Sequence, residues 1–173
     1  SNYDHGKTVI DIMNKMKFDA MVIGNHEFDW GYEEIYKYVD GNDDNGEATF
    51  PFLGCNIIEK STGQRPVGID AYQIIKRGGL KIAIVGYMGE GNESDIAEAM
   101  IKDYEFANPI SYIKSTISDL RINQGVDVVI VSGHEGNGSN QMLASLAGDE
   151  RVDAIINAHT HSTYSGTITL SLI

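Results

Sequence analysis

The feature that most constrains the fold is a set of short, continuous apolar runs, each of which ends in a small or amide residue followed by histidine. The runs are AMVIGNH at residues 20–26, VVIVSGH at 128–134 and AIINAH at 154–159. Runs of this length are typical of strands buried on both faces of a sheet. Segments with helical spacing separate them, so the sequence predicts an α/β class with layers of helix and mixed sheet.

Helix signals are clearest after residue 107. Asn108 is a good N-cap, Pro109 suits the first helical position, and Gly125 ends the segment. Ile110, Ile113, Ile117 and Leu120 then share one face of this helix. Apolar spacing through Val9, Ile12, Met13 and Met16 predicts another helix, and further helices are expected over residues 32–39 and 140–147.

Further strands are expected outside the histidine-bearing runs. TFPFLGCNII at 49–58 is one candidate, and GTITLSLI at 166–173 is another. AYQIIK and LKIAIVG are separated by RGG, a turn signal that predicts an antiparallel hairpin. The single cysteine, Cys55, lies among apolar residues and is expected to be a buried thiol rather than half of a disulfide.

Composition limits the partners that the chain can have. Its 173 residues suit one domain, predicted to span 1–173, and no apolar run approaches the ~20 residues of a membrane span. A net charge of -12 would repel a nucleic-acid backbone, so we expect no nucleic-acid polymer as partner. An anionic small molecule would need cations supplied locally.

Four histidines follow strand candidates: His26, His134, His159 and His161, with Asn25 beside the first. Loops after parallel strands meet at one edge of a sheet, so these side chains could share one crevice. Imidazole and amide ligands without thiolate suit a divalent ion such as zinc, manganese, iron or cobalt. If their segment is extended, His159 and His161 point to the same side and could face adjacent ions.

These residues resemble the calcineurin-like metallophosphoesterases, in the branch of 5′-nucleotidases and 2′,3′-cyclic-nucleotide phosphodiesterases. GNHEFDWG is similar to the Gly-Asn-His-Glu block of the family, VSGHEG to its His-x-Gly block, and NAHTHS to its Gly-His-x-His block. The three blocks occur in the family order, and FPFLGCNI, GLKIAIVG and YEFANPISYIKSTISDL resemble its connecting segments. The resemblance implies a layered sandwich of mixed sheets flanked by helices.

The resemblance also implies roles for individual residues. Asn25, His134 and His159 match the ligands of the second metal ion, and His161 matches a ligand of the first. His26 matches the catalytic histidine, which approaches the phosphate without binding metal, and Asp29 matches the acid that orients it. Asn25 and His26 are also expected to contact the substrate. The implied reaction is in-line attack on the phosphorus of a nucleotide ester by water that two divalent ions activate.

Two blocks of this family are not in the sequence. The Asp-x-His and Gly-Asp blocks, which precede Gly-Asn-His-Glu, are missing, and so is the C-terminal nucleotide-recognition domain. We therefore expect a partial metallophosphoesterase domain that lacks the first strand or strands, binds zero or one ion, and is impaired or inactive alone. The exposed sheet edge predicts self-association. Members of this branch are usually exported, which is the expectation for the parent protein.

Two other functions remain open at this point. The chain could be a non-catalytic folded remnant that binds at most one divalent ion. Alternatively, its parent could be a phosphatase for an ester that is not a nucleotide, since nothing in these residues selects a base. The sequence does not choose between monoesters and diesters.

Overall fold

The computed structural model describes residues 4–163 and 165–167. Its α-helices are α1 (Lys7–Met16), α2 (Tyr32–Tyr36), α3 (Glu98–Ile101), α4 (Pro109–Gln124) and α5 (Asn140–Ala144). Its strands are β1 (Met21–Val22), β2 (Phe52–Leu53), β3 (Ile57–Glu59), β4 (Ile69–Asp70), β5 (Tyr72–Arg77), β6 (Leu80–Met88), β7 (Tyr104–Phe106), β8 (Val128–His134) and β9 (Ala154–Asn157). Short 3-10 helices lie at Asn25–Phe28, Asp43–Asn45, Asn92–Asp95 and Gly148–Glu150.

The strands form two main sheets and one small ribbon. The larger sheet has the order β5-β6-β8-β9, in which β5 is antiparallel to β6 and the other neighbours are parallel. The smaller sheet, β1-β2-β4, is entirely parallel, and β3 pairs with β7 in an antiparallel ribbon. The predicted α/β class with mixed sheets is therefore confirmed, as is the hairpin between β5 and β6.

The larger sheet carries its own core on the face that α4 covers. Ile113, Ile117 and Leu120 of α4 are fully buried, and they pack with alternate residues of β8 such as Val129 and Val131. Helix α4 begins as predicted, because the Asn108 side chain accepts a hydrogen bond from the Ile110 backbone N–H. Burying this stripe against the sheet contributes roughly 2 kcal/mol for each fully buried aliphatic side chain.

The two sheets pack against each other, and one close contact lies at Gly86 of β6. A side-chain Cβ at this position would lie 2.4 Å from the Leu53 Cβ and 3.0 Å from the Leu53 backbone. The Cys55 backbone N–H donates to the Gly86 carbonyl at 2.7 Å, so this contact is also a hydrogen-bonded bridge. Cys55 is fully buried, as predicted, and burial raises the pKa of its thiol to about 12.

The parallel register places several strand ends at one edge of the molecule. Met88 pairs with His134, and Gly133 pairs with Asn157, so β6, β8 and β9 end side by side. The chain leaving β1 reaches the same edge, because Asn25 contacts His134 across the two sheets. Loops that follow these strands therefore share one crevice, as the histidine positions suggested.

Several local predictions differ from the structure. Helix α1 forms, but it buries Ile10, while Val9, Ile12 and Met16 are exposed. The segment 49–58 is two strands in different sheets, because Gly54 turns the chain beside Ile57 and Ile69. Two helices are shorter than expected: α2 ends at Tyr36 and α5 at Ala144. These errors arise because periodicity gives the existence of an element more reliably than its buried face or its end.

Two further expectations concern the ends of the chain and the membrane. The strand predicted at 166–173 lies mostly outside the described residues, and the two described positions of that segment, 166 and 167, are not in a strand. Within the part of the chain that the structure describes, no helix is long and apolar enough to cross a bilayer.

The close approach at Gly86 gives a test of the packing. We expect Gly86→Ala to lower the free energy of unfolding by about 2 kcal/mol, because the added methyl group has no room between the sheets. Gly138→Ala is the control, since its Cβ would meet only the Glu135 Oε1 at 3.7 Å. Urea unfolding followed by circular dichroism measures both. Equal stability of the two variants would contradict the sheet-to-sheet contact.

Candidate metal centre and catalytic loop

The loop after β1 is held by its own backbone and by a buried aromatic ring. The Gly24 backbone N–H donates to the Glu27 Oε2 at 2.7 Å, which closes the first turn of the 3-10 helix. Phe28 is fully buried and packs edge-on against Phe106, with 5.2 Å between ring centroids. Glu27 and Phe28 therefore fix the loop in place, and Asn25, His26 and Asp29 are presented from a rigid turn.

Asn25 and His134 meet at the edge shared by the two sheets. Asn25 is only 2 % exposed, and its Oδ1 lies 2.7 Å from the His134 Nε2. This contact needs glycine at position 24, because a Cβ there would lie 2.6 Å from the His134 ring. The loop from the smaller sheet and the end of β8 in the larger sheet are thereby joined through two side chains.

His159, in the segment that follows β9, lies next to Asn25 and His134 and is the third member of this group. Its Nδ1 lies 3.2 Å from the His134 Nε2, and the two rings are nearly perpendicular, with centroids 5.0 Å apart. On its other side, the His159 Nε2 lies 3.6 Å from the Asp95 Oδ2. This separation is longer than a hydrogen bond, so Asp95 places a negative charge beside the ring without fixing its direction.

The extended segment expected for His159 and His161 is wrong. Strand β9 ends at Asn157, and both histidines have positive φ, 66° and 52°. The backbone turns at each of them, so the alternation of an extended strand does not apply. His161 is exposed, and within residues 4–163 and 165–167 its ring makes no hydrogen bond or ion pair. The structure thus brings together Asn25, His134 and His159, but leaves His161 outside the group.

His26 and Asp29 form a pair beside this group. The His26 Nδ1 lies 3.0 Å from the Asp29 Oδ2, within one turn of the 3-10 helix and its C-cap. The His26 side chain is 73 % exposed, so its ring remains accessible from solvent. The roles that the family resemblance implies for His26 and Asp29 stay predictions.

The backbone around His134 is held by a second set of polar contacts. The Asn92 side-chain amide and the Gly89 backbone N–H both donate to the His134 carbonyl. Tyr87 donates its hydroxyl to the Glu135 Oε2 at 2.8 Å, and the Ala158 N–H donates to the Glu135 carbonyl at 3.1 Å. These bonds connect the loops after β6, β8 and β9, which fixes the separation between His134 and His159.

Electrostatics favour a neutral imidazole at His134. Burial lowers the pKa of His134, and the neighbouring rings of His159, His26 and His161 lower it further. A neutral ring keeps the lone pair that a metal ion needs, so His134 stays available as a ligand at neutral pH. Burial also favours the neutral form of the Glu27 carboxyl, because it raises the pKa of this group.

The donor set fits one divalent ion. The His134 Nε2 lies 2.7 Å from the Asn25 Oδ1 and 3.2 Å from the His159 Nδ1. Tetrahedral ligands with bonds of about 2.0 to 2.1 Å lie about 3.3 Å apart, so an ion at this place requires the Asn25 amide and the His134 ring to separate slightly. In the described part of the chain, no three His, Cys, Asp or Glu side chains converge on a possible ion site. Two imidazoles and one amide lie together here, and of the three only Asn25 is not one of those four residue types.

Sequence reasoning missed several residues that shape the site. Asp95 and Asn92 lie in the 3-10 helix after β6. No sequence motif in this segment indicated that they would lie near the site. Glu135 stands next to His134 in the quoted block VSGHEG, and its position beside a ligand was the only available signal. Glu27 had no assigned role, and the structure gives it one as the side chain that closes the loop.

Comparison with known proteins places this geometry in a family. The family model for calcineurin-like phosphoesterase matches residues 3–163. The 5′-nucleotidase of Vibrio cholerae is 33% identical over 128 residues, which cover 74% of this chain and 22% of that protein. Endonuclease YhcR of Bacillus subtilis is 29% identical over 177 residues, covering 95% of this chain and 14% of that protein.

A solved structure of a nucleotidase is also similar to this chain. The NAD nucleotidase of Haemophilus influenzae superposes with a TM-score of 0.72 and 25% sequence identity, over 95% of this chain and 31% of that one. This chain therefore spans less than a third of each of the three proteins. Since the family model covers almost all of the described residues, the chain belongs to the calcineurin-like phosphoesterases, a family of metal-dependent hydrolases of phosphate esters.

Proposed function

We propose that the protein containing this chain hydrolyses phosphate esters of nucleotides, as a 5′-nucleotidase or a 2′,3′-cyclic phosphodiesterase. The observation that carries the proposal is the convergence of Asn25, His134 and His159, with the His26–Asp29 pair beside them. Relatives named as a 5′-nucleotidase and an NAD nucleotidase support nucleotides as the substrate class.

Each residue has a definite task in this proposal. Asn25, His134 and His159 hold one divalent ion, and His161 is assigned to a second ion on the ground of the family resemblance. Zinc, manganese, iron and cobalt all suit nitrogen and amide-oxygen ligands. Bound divalent ions supply an activated water and polarise the phosphoryl group. His26, oriented by Asp29, donates a hydrogen bond to a phosphoryl oxygen and stabilises the charge that develops there.

The charge of the chain explains why metal ions are required for such a substrate. With 25 acidic and 13 basic residues, the chain repels a phosphate everywhere except where cations are concentrated. The ligand group is the place where divalent charge inverts that local field. The described residues bring together three candidate ligands for one ion, so we propose that this chain alone hydrolyses esters weakly or not at all. We also propose export of the parent protein, on the ground of its family branch.

A second function has one specific observation in its favour. One relative that matches 95% of this chain is named an endonuclease, which implies a nucleic-acid polymer as substrate of that protein. The acidic surface of this chain favours a small nucleotide, because a polymer would place many phosphates against it. A phosphatase for a non-nucleotide ester remains compatible with the same metal group.

The role of His26 can be tested in the complete gene product. With manganese added, His26→Ala is expected to lower kcat for bis-nitrophenyl phosphate by about 100-fold or more, because a charge-stabilising donor is lost. Metal content should stay unchanged, since His26 does not contact the ligand group. Asp29→Asn should lower kcat by about tenfold through misorientation of the ring.

Asp119→Asn, on the outer helix α4, is the matched control for the loss of a carboxylate at Asp29. Its kinetics should equal those of the wild type. Full activity in His26→Ala would show that this histidine does not take part in the reaction, and a loss of metal in that variant would show that it is a ligand.

Substrate choice is tested by comparing a nucleotide with a polymer. We expect the complete gene product to release phosphate from AMP or to open 2′,3′-cyclic AMP, and to leave duplex DNA intact under the same conditions. DNA cleavage is attributed to this site only if His26→Ala abolishes it. Cleavage that remains in this variant would come from another nuclease site in the protein. Cleavage of DNA that depends on His26, without turnover of either nucleotide, would favour the endonuclease function instead.

A further inference from the structure

Two side-chain amides form a chain of hydrogen bonds behind the loops that carry His134 and His159. The Asn157 Nδ2 donates to the Gly136 carbonyl at 2.9 Å, and the Asn157 Oδ1 accepts from the Asn140 Nδ2 at 2.9 Å. Gly136 follows His134 by two residues, and Asn157 precedes His159 by two. The chain of amides therefore joins the two ligand-bearing loops at points close in sequence to both candidate ligands.

The Asn157 side chain continues the connection between β8 and β9 where their backbone ladder ends. Gly133 and Asn157 are the last paired residues of these two parallel strands. Beyond this pair, the Asn157 amide donates to the Gly136 carbonyl, and the Ala158 backbone N–H donates to the Glu135 carbonyl at 3.1 Å. The loop after β9 is thereby held against the loop after β8 immediately before the chain reaches the histidines.

The direction of these hydrogen bonds is set by the carbonyl at one end. A backbone carbonyl only accepts, so Asn157 must turn its Nδ2 toward Gly136 and its Oδ1 toward Asn140. Asn140 must then donate through its own Nδ2. Asn140 therefore holds the amide of Asn157 in the orientation that donates to the loop of His134.

Asn140 is itself fixed by the element that carries it. It lies at the start of α5 and is only 6% exposed. Leu143 of the same helix is fully buried in the core of the larger sheet. Just before the helix, the Ser139 Oγ donates to the Glu135 Oε1 at 3.1 Å. Helix α5 is thus attached both to the core and to the loop after β8, so it presents Asn140 from a rigid support.

Asn140 contributes little net stability to the fold. It supplies one hydrogen bond, but its Oδ1 is buried without a hydrogen-bond partner in the described part of the chain. An unpaired buried acceptor costs free energy comparable to what one hydrogen bond contributes. A leucine of similar shape would avoid that cost. Features that do not favour stability are expected mainly at functional sites.

We propose that Asn140 and Asn157 are positioning residues of the metal centre, which hold the loop of His159 at a fixed separation from the loop of His134. This assignment rests on the proposed function, because it takes the two histidines as ligands of one ion. Both polar atoms of Asn157 are engaged by Gly136 and Asn140, so Asn157 acts through the histidines rather than on the ion. Metal–nitrogen bonds of about 2.0 to 2.1 Å tolerate little displacement of a ligand.

Titration of the metal-free chain with Co²⁺ tests this role. Asn157→Leu and Asn140→Leu should each weaken Co²⁺ binding by about tenfold, the loss typical of residues that support metal ligands. The double variant should also be about tenfold weaker, and not about 100-fold, because Asn140 acts only through Asn157. Gln141→Leu is the matched control, since it removes an exposed amide from the next position of α5 and should bind Co²⁺ as the wild type does.

Two further measurements separate positioning from a merely structural role. Urea unfolding of each metal-free variant, followed by circular dichroism, shows whether the fold is retained, and Asn140→Leu is expected to unfold close to the wild-type midpoint. This variant decides the question alone if Asn157→Leu does not fold. The visible absorption of bound Co²⁺ should also change in Asn140→Leu, because a displaced His159 alters the geometry of the ligands.

The outcomes distinguish this proposal from the proposed function. Equal Co²⁺ affinity of the wild type and Asn140→Leu, or losses that multiply in the double variant, would overturn the positioning role and leave the metal centre in place. A wild-type chain that binds no Co²⁺ would overturn the metal centre itself, and the positioning role with it.

Discussion

The contact between Asn25 and His134 is the interaction on which the rest of the site depends. It joins the loop of the smaller sheet to the end of a central strand in the larger sheet, at a separation of 2.7 Å. Three features of the fold permit it: Gly86 lets the sheets approach, Gly24 leaves room for the imidazole, and the parallel register brings β6, β8 and β9 to one edge. Without these features, Asn25 and His134 would lie on separate surfaces of the protein.

The electrostatics around the candidate ligands suit a cation. Around His134, burial and neighbouring imidazoles lower the pKa of the ring, so the neutral nitrogen is favoured. His26 lies on the same turn as Asn25, with the Asp29 Oδ2 3.0 Å from its Nδ1.

Much of this arrangement could be predicted from the sequence. Continuous apolar runs gave β8, and the RGG turn gave the hairpin of β5 and β6. Histidines placed after apolar runs indicated a shared crevice, and the structure brings Asn25, His134 and His159 together there. Those predictions succeeded because strand burial and turn chemistry are local properties that tertiary packing does not reverse.

Other features depend on tertiary contacts that no local pattern contains. The face of α1 was ambiguous because Ile10 and Val9 are both apolar, and only packing against the smaller sheet buries Ile10. The chain turns at His159 and His161, next to the place where the Ala158 N–H donates to the Glu135 carbonyl of another loop. The carboxylate of Asp95 beside His159 comes from a 3-10 helix without a motif.

The central claim is that Asn25, His134 and His159 form one metal centre in this chain. Titration of the metal-free chain with Co²⁺, followed by visible absorption and by metal analysis, tests it most directly. The structure predicts one ion per chain, binding lost in His134→Ala, and binding retained in His161→Ala. Absence of a bound ion, or an ion that remains bound in His134→Ala, would contradict the claim.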